Sequence, residues 1–151
     1  MVNEIHVSLA SGNTLYSIVR DKEGSVWYPD GQVFESWGTE GRDAEDYCLC
    51  LIDMSGSLYV GDFDNNVPPG RYIVQIFLQS GVDPADEDSV VENIEFLWSG
   101  TGRISASKLL ANKAVQSKST GQIQYFDDDG QTVLVTLTPS EDLDSITRSC
   151  I

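Results

Sequence analysis

Histidine is almost absent: His6 is the only one in 151 residues. A Ser-His-Asp or Cys-His arrangement would have to use it, and it sits on an expected first strand near the chain end. No Gly-x-Ser-x-Gly elbow and no phosphate-cradling loop is present. Hydrolytic chemistry built on a nucleophile and its base therefore has no visible constellation, and the reading is non-enzymatic. Positive charge is scarce as well, with nine Lys and Arg against 24 Asp and Glu, a net −15. Such a body repels phosphate, which argues against nucleic acid and anionic membranes as partners. No apolar run is long enough to cross a bilayer, and Met-Val-Asn-Glu-Ile-His-Val lacks the basic and apolar parts of a signal peptide. Cysteine is sparse and odd in number (Cys48, Cys50 and Cys150), unlike a secreted disulfide framework. Synthesis in a cytoplasm without general secretion is the expectation.

Charge is also uneven. Residues 1–100 carry 18 acids and four bases, whereas residues 101–151 carry six acids and five bases. Within 101–120, Arg103, Lys108, Lys113 and Lys118 stand without one acid. The division predicts a body over 1–100 and a distinct unit over 101–151. Acids that keep the body soluble are one explanation; a basic connector that docks on an acidic neighbour is the other.

Thirteen glycines and period-two alternation predict a turn-rich, all-β chain, an antiparallel two-layer β-sandwich of Ig-like or jelly-roll-like type. Expected strands cover 3–9, 14–20, 26–28, 33–37, 47–54 and 58–63, with 38–46 a polar loop. Arg71–Ser80 places Tyr72, Val74, Ile76 and Leu78 on one face, and Val90–Trp98 places Val90, Ile94, Phe96 and Trp98 on one face. These two are the expected central strands, joined by the acidic loop 81–89. Downstream, Ile104–Val115 reads as a short helix. Gln122–Phe126 and Thr132–Thr138 read as a hairpin closed by Asp127-Asp128-Asp129-Gly130. The tail from Pro139 either adds a strand or reaches a neighbour. An isolated hairpin is marginal in water, so 122–138 is expected to pack on the sandwich, on a copy or on another protein.

Other chemistries are weighed against structural readings. Cys48 and Cys50, one residue apart on a strand, would need Cys150 and His6 to make four zinc ligands; buried thiols that pack as small hydrophobes account for them more simply. Asp62-Phe63-Asp64-Asn65-Asn66, Asp83 with Asp86-Glu87-Asp88, and Asp127–Asp129 concentrate oxygen ligands, so a structural Ca2+ competes with ordinary acidic turns. The first departs from an EF-hand loop because Val67 stands where glycine is needed. Paired carboxylates of a glycosidase have no distinguishing signal among 24 acids. Trp27 and Trp37 are the candidate stacking platforms for a carbohydrate, while Trp98 falls on the inward face of its strand.

The segments Leu15–Trp27, Tyr59-Val60-Gly61-Asp62-Phe63 with Pro69-Gly70-Arg71-Tyr72, and Gln79–Asp88 resemble β-sandwich modules of tailed-bacteriophage structural proteins. Asn112-Lys113-Ala114-Val115, Thr120-Gly121 and Tyr125–Leu134 are similar to a C-terminal unit of such proteins, followed by a short strand near Thr147-Arg148. The resemblance implies a virion component made in the host cytoplasm, a tail, fibre or neck-adaptor protein or else a capsid decoration protein. It also implies a homo-oligomer, a trimer above all, among other virion proteins. The faces expected to assemble are Ile123, Tyr125, Val133 and Val135, with Arg103, Lys108 and Lys113 beside them. Cys48, Cys50, Cys150 and the terminal Ile151 are not part of that pattern.

Overall fold

The computed structural model describes residues 3–141 and 146–150, with side chains over 3–140. The chain forms two units, 1–100 and 101–151.

The first unit is an antiparallel sandwich. It opens with β1 (Ile5–Ser8), β2 (Leu15–Arg20), β3 (Val26–Tyr28) and β4 (Val33–Glu35). A 3-10 turn (Thr39–Gly41) and the one-turn helix α1 (Ala44–Tyr47) follow. The chain continues through β5 (Leu49–Cys50), β6 (Ile52–Asp53), β7 (Leu58–Gly61), β8 (Gly70–Leu78) and β9 (Ser89–Trp98). The larger sheet has the order β4-β3-β2-β8-β9, with β5 also paired to β2; the smaller has the order β1-β7-β6. Between the sheets lies the main core. Ile5, Val7 and Tyr59 of the smaller sheet meet Leu15, Val19, Val74, Ile76, Phe96 and Trp98 of the larger. Four aromatic rings form its centre: Phe63 stacks on Phe96 at 4.4 Å and touches Trp98 at 4.8 Å and Tyr72 at 6.0 Å.

The other face of the larger sheet is covered as well. Tyr16, Ile18, Val26 and Phe77 form a second cluster with Ala44 and Tyr47 of α1, flanked by Tyr28, Trp37 and Cys48. This explains why β2 is buried on both faces. Its neighbour β8 keeps the alternation: Tyr72, Val74 and Ile76 enter the main core.

Several expectations are corrected here. The stretch 38–46 is not all loop, because Asp43 and Asp46 form a capping box that nucleates α1. The stretch 47–54 is not one strand. Tyr47 ends α1, β5 pairs with the larger sheet, and β6 pairs with the smaller, so the chain crosses between layers at Leu51. Of the two strands expected to be central, β8 is, whereas β9 is an edge of its sheet among the described residues. Val90 does not share the face of Phe96 and Trp98. A bulge sets Glu92 opposite Ile76 but Val90 opposite Phe77, which leaves Val91 extra, and Val90 is exposed.

In the second unit α2 (Ala106–Ala111) is shorter than expected, capped by the Ser105 hydroxyl, which accepts the Lys108 N–H. The strands β10 (Ala114–Gln116), β11 (Ile123–Phe126), β12 (Val133–Glu141) and β13 (Ile146–Cys150) form one antiparallel sheet in chain order. The hairpin 122–138 is therefore not isolated. It gains a strand on each side, one from residues expected to be helical and one from the tail.

Candidate functional site

The sandwich concentrates its few cations in one place. Of the four bases in 1–100, Arg20 and Arg42 both lie on aromatic rings flanking the second cluster. The Arg20 guanidinium is 4.9 Å from the Trp37 ring centre, and that of Arg42 is 4.0 Å from the Tyr28 ring centre. Arg42 is further held by Glu35 at 3.0 Å and Glu40 at 2.7 Å. The Glu35 carboxylate also accepts the Tyr47 hydroxyl at 2.9 Å; burial first, then this carboxylate, pushes the phenol pKa up. Arg20 instead donates to the Gln75 amide oxygen at 2.6 Å and to the Gly24 carbonyl at 3.1 Å. Burial lowers its pKa.

The acidic loop 81–88 is fastened to the same region by two carboxylates. Asp86 accepts the Ala44 N–H at 2.9 Å and the Trp37 indole N–H at 3.4 Å. Asp88 is buried and accepts four donors: Ser80 N–H and Oγ–H, Ala85 N–H and the Tyr16 hydroxyl. These bonds, Ser80's side chain foremost, hold its pKa down at about 2. The Tyr16 phenol moves far up for the complementary reasons, burial first and then Asp88.

The candidate carbohydrate platforms Trp27 and Trp37 are covered to different degrees. Trp27 is 2% exposed, sits in the main core and donates its indole N–H to Asp64 at 2.8 Å. Trp37 is half-buried, with Arg20 over its ring and Tyr47 at 5.0 Å. Neither offers a bare ring.

In each of the three acidic stretches, carboxylates accept protein donors, from their own loop and from neighbouring segments. Asp64 accepts the Asn66 backbone and amide N–H groups as well as Trp27. Asp129 accepts the Gln131 and Thr132 N–H groups and the Thr132 hydroxyl, and these bonds lower its pKa. Among the described residues no three His, Cys, Asp or Glu side chains converge as a metal-holding group. His6 stands exposed on β1, a strand of the smaller sheet, whereas Cys48 follows α1 and Cys50 lies on β5 of the larger. The Cys150 side chain lies outside the described residues. Cys48 is half-buried, donates to the Glu45 carbonyl at 3.3 Å, and has its pKa pushed up to about 11 by burial and then by neighbouring Cys50. Cys50 is exposed rather than a buried hydrophobe.

In the second unit the register brings the expected apolar residues together with one exception. Tyr125 lies opposite Val135 and Ile123 opposite Leu137, while a bulge after Tyr125 sets Val133 opposite Phe126. Val135 is buried, Ile123 and Tyr125 are half-buried, and Val133 is exposed. Two of the bases expected to dock on a neighbour also make contacts within the unit. Lys108 pairs with Asp127 at 2.8 Å, and Lys113 lies 4.5 Å from the Phe126 ring centre and donates to the Gly130 carbonyl at 3.3 Å. Arg103 is half-buried. Beside α2, Ser105, Lys108, Ala111, Asn112 and Asp128 line a cleft of about 260 Å³. Lys108 thus meets the hairpin's acidic tip, a local pairing that the charge count alone could not assign. Sequence reasoning missed the Arg20–Trp37 and Arg42–Tyr28 stacks, because their partners are 17 and 14 residues apart and meet only when the sheet's outer face is covered.

No family model, curated protein or solved structure matches this chain.

Proposed function

We propose that the protein is a non-enzymatic virion structural protein of a tailed phage that acts by assembly, as a tail, fibre or neck-adaptor component. One observation supports assembly above the others. All but two of the buried apolar side chains among the described residues belong to the sandwich; the second unit contributes Leu134 and Val135. Ile123, Tyr125, Phe126 and Leu137 remain half-buried, and Leu110, Val115 and Val133 are exposed. A four-stranded sheet gains stability by covering an apolar face, and copies or neighbours would supply that cover. The virion setting and a trimeric state rest on the resemblance of the turn and strand pattern. Capsid decoration is the alternative position.

Light scattering of the full chain tests assembly directly. The expected mass is about three times the 16.6 kDa of one chain, and Tyr125→Lys is expected to lower it. A monomer across micromolar to millimolar concentrations overturns the reading.

A further inference from the structure

The Cys48–Cys50 pair has no role in the assembly reading, and the exposure of Cys50 does not fit buried packing. Cys48 leaves α1 with extended backbone (φ −77°, ψ 145°), and Leu49–Cys50 continues as β5. Alternate residues of an extended chain point the same way, so the two thiols share one side while Leu49 between them packs against the main core. Leu49 is thereby an anchor that fixes which way both sulfurs face. Pairing of Tyr16 with Cys50 and Ser17 with Leu49 holds the segment on β2, and the Leu51 N–H donates to the Leu15 carbonyl at 3.0 Å. Cys48 is half-buried against the second cluster and Cys50 opens to solvent, so a small species reaches Cys50 first and Cys48 behind it.

We propose that Cys48 and Cys50 form a two-sulfur site for a soft, thiophilic monovalent cation of the copper(I) class. Ligand number and type select that class. Two thiols with no third histidine, cysteine or carboxylate converging among the described residues leave a tetrahedral zinc site incomplete, and hard cations prefer oxygen. Thiolate sulfur selects copper(I) among first-row ions. A direct disulfide is the weaker use of the pair. An extended chain sets alternate Cα atoms about 6.6 Å apart, near the upper end of what a disulfide spans, and the β2 pairing resists contraction. An ion between the sulfurs bridges that gap without moving the strand. The stoichiometry is closed: one Cu+ displaces two thiol protons to buffer and leaves a bis-thiolate complex of charge −1, with no change of oxidation state.

The test uses the full chain with Cys150→Ser as parent, titrated anaerobically with copper(I) against a chromophoric copper(I) chelator. One ion per chain is expected, with affinity lowered at least 100-fold by Cys48→Ser and equally by Cys50→Ser, and with no change in mass by light scattering. Circular dichroism of each variant confirms the fold, since serine is nearly isosteric with cysteine. Retention of the ion by either single variant within tenfold of the parent overturns the site. So does binding that requires Cys150, or an ion that joins two chains. Assembly of the metal-free protein is read separately, so failure of the site leaves the assembly reading standing, and failure of assembly leaves the site.

Discussion

Tyr16 and Asp88 meet at 3.1 Å inside the covered outer face of the larger sheet, 72 residues apart in sequence. The phenol comes from the central strand β2 and the carboxylate from the end of the acidic loop, so this contact ties the loop to the middle of the sheet. With Ser80 and Ala85 as the other donors, all of them neutral, the carboxylate replaces lost hydration by hydrogen bonds rather than by a countercharge.

That arrangement predicts acid lability with a definite sign. The folded-state pKa of Asp88 is depressed to about 2, below the ordinary carboxylate range. Its contribution to stability is therefore full above the unfolded value and is lost as pH falls from about 4 towards 2. Asp88→Asn is expected to cost about 2 kcal/mol at neutral pH, because the amide loses acceptor capacity against four donors. Thermal melts from pH 2 to 7 check both parts: the wild-type melting temperature drops below pH 4, and the variant's drops less. An equal pH dependence in both proteins would assign the lability elsewhere.

The Arg20–Trp37 stack predicts a spectroscopic asymmetry. Trp27 and Trp98 are each 2% exposed, so quenching of indole fluorescence by acrylamide reads Trp37 almost alone. Arg20→Ala uncovers that ring and is expected to raise the quenching constant by about twofold, with a stability loss of about 1 kcal/mol. Arg20→Lys keeps the charge but not the planar stack, and should fall between the two. No change in quenching for Arg20→Ala would mean that Tyr47 and the 37–43 segment alone shield the ring.

The Lys108–Asp127 pair is partly buried on both sides, with side chains 20% and 17% exposed. A double-mutant cycle with Lys108→Met and Asp127→Asn should give a coupling of about 1 kcal/mol, above the usual value for solvent-exposed pairs. Coupling that persists in 0.5 M salt fits the partial burial; coupling near zero in low salt would show that the pair adds no stability.

Local chemistry in the chain was enough to fix the two-unit division, the hairpin closed by Asp127–Gly130, and the inward alternation of Tyr72, Val74 and Ile76. Each depends on neighbours in sequence: a charge boundary, turn residues, a period of two. Strand partners were not legible. Nothing in Ser89–Trp98 marks it as an edge, since an edge is defined by a partner that is not there. The bulge that turns Val90 away from Phe96 arises from a mismatch between β8 and β9, and neither strand shows it alone. Trp27 and Trp37 look alike in sequence, yet one is sealed in the core and the other is stacked under Arg20. Burial depends on what covers a residue, and on the outer face of the larger sheet Ala44 and Tyr47 of α1, with Asp86 and Asp88 of the acidic loop, help to provide it. Ala114 and Val115, expected to be helical, joined a strand because β11 offered them an edge. Propensity decided where the chain could turn and alternate; only the tertiary structure decided which faces were covered, and hence which of its aromatic, acidic and thiol groups stand free to act.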